Sequence, residues 1–107
     1  MVDDWIGALV AEGLLPPGER PSADAFTAAL YGYLARTPAQ LIGVNLAEAA
    51  GETRSQNMPG TSDEYPNWKL PLCGPDGEPV LLEDLATSAR VRAVARAASS
   101  AKQPAAQ

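Results

Sequence analysis

Residues 57–68 read Asn-Met-Pro-Gly-Thr-Ser-Asp-Glu-Tyr-Pro-Asn-Trp, and their side chains can do chemistry that the rest of the chain cannot. Asn57 and Asn67 each carry donors and acceptors, an inventory suited to a hydroxyl-rich ligand. Tyr65 and Trp68 have flat faces with a polar edge, which suit stacking on a sugar ring. Each has a structural alternative. Asn57, just before Met58-Pro59-Gly60, can stabilise an Asx turn, and the two aromatics can pack the loop onto its domain. Asp63 and Glu64 are the acids of the stretch. Neighbouring side chains point apart, so they are no acid–base pair; each either touches a ligand singly or stays solvated.

Acids elsewhere make no better pair. Glu83 and Asp84 read as a dipole-matched helix start, and Glu48 and Glu52 as like charges a helical turn apart. None gives the facing carboxylates of glycoside chemistry. The chain has no histidine, which excludes Ser/His/Asp and Cys/His nucleophiles and the usual Cys/His zinc sites. Cys73 is the single cysteine, expected to be inert, and no internal disulfide is possible. The glycines are scattered, with no phosphate-binding loop, and nothing in the residues calls for a metal or cofactor.

The elements that would carry these residues follow from periodicity and caps. Trp5, Ile6, Leu9 and Val10 share a face of a helix over 3–13, started by Asp3 or Asp4 and stopped by Gly13, with Trp5 in the core. Three prolines between Leu15 and Pro21 make a loop. Ser22 and Asp24 then open an amphipathic helix over 22–36, with Phe26, Leu30, Tyr33 and Leu34 on its apolar face. Leu41-Ile42-Gly43-Val44-Asn45-Leu46 has too little alternation for a surface strand and predicts a strand over 41–46 buried on both faces, as in a parallel sheet. Residues 52–79 form one long loop, beyond the usual connector length and so of functional type. A last helix spans 80–99, with Arg90, Arg92 and Arg96 on a solvated face, and 100–107 is a tail.

At 107 residues the chain is about one small domain, and its 46% hydrophobic content is rich in alanine, with aromatics only 6%. A net charge of −5 argues against nucleic acid or an anionic membrane as partner. No apolar run is long enough to span a bilayer, and Asp3 and Asp4 do not suit a signal peptide, so a cytoplasmic setting is expected.

The run Asn57-x-Pro59-Gly60-Thr61-x-x-Glu64-x-Pro66-Asn67-Trp68-Lys69 resembles the closing signature of the 4-α-glucanotransferases, the amylomaltase or disproportionating-enzyme family of (β/α)8-barrel enzymes. Arg36 to Val44 resembles that family's last barrel strand with its preceding helix, and the spacing to Asn57 fits. Two departures stand out: Lys69 where the family usually has arginine, and Asn45 with Ala47-Glu48 where it tends to have a Gln/Glu-Asp pair. The resemblance implies an α/β fold, the C-terminal fragment of a (β/α)8 barrel, mostly helical with one buried strand and a long active-site-type loop. It implies transfer of α-1,4-glucan segments by retaining double displacement, with the catalytic carboxylates on the missing N-terminal part of the barrel. Substrate-binding roles fall to Asn57, Pro59, Gly60, Glu64 and Tyr65, no catalytic role falls to this chain, and the partner is a maltooligosaccharide. The rival reading is a non-catalytic small helical module that binds sugar or protein. A third is an incompletely folded remnant.

Overall fold

A computed structural model describes residues 1–100. They form five helices: α1 (Val2–Ala11), α2 (Ala23–Ala35), α3 (Leu46–Ala50), α4 (Leu82–Leu85) and α5 (Ala89–Ser99). The described part is mostly helical and contains no sheet; its one β feature is an isolated antiparallel bridge between Cys73 and Pro79.

α2 is the central element. Ser22 Oγ accepts from the Ala25 N–H at 3.1 Å and starts it. One side of α2 meets α1, where Leu9, Leu15 and Ala29 form a core flanked by Phe26, Leu30 and Tyr33. Leu15 reaches that core because Leu14 and Leu15 both donate to the Leu9 carbonyl, folding the chain back under α1. Another side meets α5, where Tyr31, Ala49 and Val94 form a second core. α5 therefore backs both α2 and the short α3. Trp5 is not core. It is half-exposed and set edge-on against Tyr33, ring centroids 5.7 Å apart, because the α1–α2 seam is filled by Leu9 one turn on.

The strand expected over 41–46 is not formed. Residues 41–45 run irregularly without a ladder partner among the described residues, and Leu46 already opens α3. Leu41 is 92% exposed, and Val44 and Leu46 are also open to solvent. A doubly buried strand needs neighbours on both edges and both faces, and the described residues do not supply that set. The helix expected over 80–99 is broken in two. Thr87 Oγ1 donates to the Asp84 carbonyl at 3.2 Å, and Ser88 Oγ accepts from the Val91 N–H at 3.3 Å. Side chains that bond their own backbone end one helix and cap the next. Arg90 does not sit on a solvated face: its Nε and Nη2 each meet Asp24 Oδ2 of α2 at 3.3 Å, and Nη1 reaches the Ala50 carbonyl of α3. The expected tail over 100–107 lies outside the described residues except for Ser100, which caps α5.

Candidate functional site

The segment between α3 and α4, residues 51–81, folds around its own hydrogen bonds. Gly51 ends α3 in the left-handed region at φ +87°, and a Cβ there would sit 2.8 Å from Pro75 Cδ, so only glycine lets the loop's two ends close on each other. The next residue, Glu52, fixes that closure. Its carboxylate accepts from Arg54 N, Nε and Nη2 at 3.0, 2.9 and 2.7 Å and from Cys73 N at 3.2 Å. Arg54 Nη2 also donates to the Pro71 carbonyl at 3.1 Å. The Glu52 side chain is only 2% exposed. Hydrogen bonds from the Arg54 guanidinium, then from the Arg54 backbone, hold its carboxyl down at about 2.

The far arm is zipped to the near one. Trp68 N donates to the Gln56 carbonyl at 2.7 Å, and Met58 N to Asn67 Oδ1 at 2.7 Å. Asn67 Nδ2 donates to Thr61 Oγ1 at 3.0 Å. Asn67 is thus spent on the loop's shape. Between the near arm and α3 lies an open cleft of about 480 Å³, whose lining includes Asn45, Glu48, Arg54, Gln56, Asn57 and Trp68. Its α3 wall is built from one relay. Asn45 N donates to the Tyr31 hydroxyl at 3.0 Å, and that hydroxyl donates to Glu48 Oε2 at 2.8 Å. Asn45 Oδ1 meanwhile caps α3 at Ala47 N, 3.0 Å away. Burial raises the Tyr31 hydroxyl above its ordinary value; the Asn45 bond opposes this and the Glu48 carboxylate adds to it.

The residues singled out in sequence are placed unequally. Asn57 lines the cleft, and its side-chain amide makes no hydrogen bond among the described residues. Pro59 and Gly60 sit outside the cleft at an exposed turn, closed by Thr61 N and Oγ1 on the Met58 carbonyl, with Gly60 at φ +85°. Glu64 is exposed beyond that turn; backbone N–H groups of Glu64 and Ser62 lower its carboxyl, and Ser62 Oγ donates to it at 3.2 Å. Tyr65 is half-buried, and its hydroxyl donates to the Ser55 carbonyl, which braces the loop from inside. The cleft adds residues to which the sequence reading gave no binding role: Asn45, Glu48, Arg54 and Gln56. Only the Glu52-x-Arg54 spacing, an acid and a base two apart in irregular backbone, signals any of this locally. Among the described residues, no group of three metal-ligating side chains converges, and no helix is long and apolar enough to cross a membrane.

Comparison with known proteins bears directly on residues of this cleft. The sequence model of a family described as 4-alpha-glucanotransferase matches residues 5–75. Curated relatives in Mycobacterium bovis and Mycobacterium tuberculosis, each named 4-alpha-glucanotransferase, are 50% identical over 97 residues, covering 91% of this chain. One of that name in Haemophilus influenzae is 34% identical over 76 residues, 65% of this chain and 11% of its own length. The chain spans only 13% of the mycobacterial proteins. No solved structure matches it.

Proposed function

The chain belongs to the 4-alpha-glucanotransferase family, and from that premise we propose that it is part of an enzyme moving α-1,4-glucan segments to glucose or glucan acceptors. The reaction in this reading is a retaining double displacement. A carboxylate attacks the anomeric carbon, an acid protonates the departing glycosidic oxygen, and the 4-hydroxyl of a second glucan then displaces the carboxylate. That geometry requires two carboxyls about 5–5.5 Å apart.

The observation that carries this reading is the cleft beside the loop, with the uncommitted amide of Asn57 in its lining and inside the family match. Asn57 is assigned to sugar hydroxyls. The Pro59-Gly60 turn, Glu64 and Tyr65 form the rest of the substrate-side loop. The catalytic carboxylates are assigned to polypeptide outside this chain. Glu52, the cleft's least exposed acid, supports that assignment: its oxygens are occupied by four donors, and its carboxyl is held at about 2, whereas a general acid needs a raised value. In the same reading residues 41–46 become a strand of a (β/α)8 barrel once neighbouring strands are supplied, and their exposed Leu41 and Val44 are covered there. A cytoplasmic setting goes with it, where a lone thiol such as Cys73 stays reduced.

A second reading, a small helical module that binds glucan without turnover, is favoured by the two apolar cores closed within the described residues. One experiment separates the two. The purified 107-residue chain is incubated with maltotriose, alone and as a fusion behind the preceding portion of a mycobacterial relative. Glucose and longer dextrins are expected from the fusion only, and Asn57→Ala in the fusion should raise KM. Glucose release by the chain alone, or a fusion indifferent to Asn57→Ala, refutes the proposal.

A further inference from the structure

Trp68 is the one non-glycine residue in the left-handed backbone region among the described residues, at φ +61°. Its β-carbon makes that conformation costly, and glycine or asparagine is the ordinary occupant. The backbone is held there by the Trp68 N–H on the Gln56 carbonyl and by the Lys69 N–H on the Pro66 carbonyl at 3.1 Å. Packing of the indole does not repay the strain, because Trp68 is 75% exposed. The side chain is displayed, not stored, and it is displayed on the cleft. Gln56 and Asn57 line the same cleft, and neither side-chain amide makes a hydrogen bond among the described residues.

An exposed indole face beside two uncommitted amides is what a pyranose ring requires. The ring's axial C–H groups make a flat apolar face for the indole, and its equatorial hydroxyls reach planar amides at the edge. We propose that Trp68 is the aromatic platform on which one glucose ring of a bound glucan stacks, with Gln56 and Asn57 taking that ring's hydroxyls. This rests on the glucan reading above and adds a residue and a mode of contact to it.

The chain has two tryptophans, so Trp5→Phe leaves Trp68 as the sole indole reporter. Maltoheptaose is titrated into the full chain carrying Trp5→Phe, with emission and calorimetry read together. Saturable binding with a blue-shifted, altered indole emission is expected. Trp68→Ala should weaken binding about tenfold, and Trp68→Phe should restore most of it. Unchanged far-UV dichroism of both variants excludes unfolding as the cause. Calorimetric binding with a silent indole and no loss in Trp68→Ala overturns the platform while leaving the glucan site standing. No calorimetric binding even by the unsubstituted chain overturns the glucan site, and the platform with it.

Discussion

Glu52 shows how much one carboxylate can organise. Its bonds reach the next loop residues and the Cys73 backbone twenty-one positions on, so it closes the loop as well as pairing a charge. Because its folded value is about 2, below the ordinary 4.5, it contributes stability in full above about pH 4.5 and loses it as pH falls towards 2. Glu52→Gln should lower the urea midpoint at pH 7. The gap from wild type should persist at pH 4.5 and shrink by pH 2.5, and a gap that widened on acidification would contradict the assignment. Trp68 offers the opposite test. Trp68→Gly removes a β-carbon from φ +61° at the cost of a more flexible unfolded chain, so stability should hold level or rise by up to about 1 kcal/mol. At this scale the sequence was partly readable. The amide chemistry of Asn57 follows from residue type, and its place on the cleft from the structure. Tyr65 and Trp68 are chemically alike in sequence, yet one turns its hydroxyl inward and the other shows its ring to solvent. Trp68 carries φ +61°, and residue type does not encode that conformation for a tryptophan.

Among the elements, α3 is the most exposed to small changes, since five residues cannot hold a helix by propensity. It depends on the Asn45 cap, the Gly51 stop and the Tyr31 hydroxyl behind it. Gly51→Ala should cost about 1–2 kcal/mol from backbone strain, and more through the contact with Pro75, read as a drop in the thermal midpoint. Tyr31→Phe should cost about 1–2 kcal/mol, since it strips partners from both the Asn45 N–H and Glu48. The Ser22 and Asp24 signal stands where α2 begins, because capping is a contact between residues three apart. The 41–46 run misled for the complementary reason. Its apolar pattern says nothing of ladder partners, and none meets it among the described residues. The break within 80–99 comes from Thr87 and Ser88, whose side chains bond their own backbone.

At the scale of the molecule the cores are thin. Among the described residues Leu9 is the one large side chain that is fully buried, and alanines fill much of the rest. Small domains of this kind lean on whatever covers their surface. The exposed side chains of Leu34, Leu41 and Val44 should therefore drive concentration-dependent association of the isolated chain. Sedimentation velocity should show faster species as concentration rises, and Leu41→Asp with Val44→Asp should abolish them without shifting the melting point. The arrangement of helices was legible in outline from periodicity. How they stack was not, because the contacts that join α2, α3 and α5 are long-range: Arg90 with Asp24, and Ala49 with Val94.

The family model's match ends at residue 75, whereas the likeness to the mycobacterial relatives, 97 residues long, runs on into α5, the helix that props up the cleft's α3 wall. A gene trimmed to the family model's match would keep the cleft's loop residues from Glu52 to Trp68 and still forfeit the site. Without Val94 behind Ala49 and the Arg90 guanidinium across two helices, α3 would be left leaning on Tyr31 of α2. The boundary to respect in any shortened version is therefore mechanical, and it lies a full helix past the end of the family model's match.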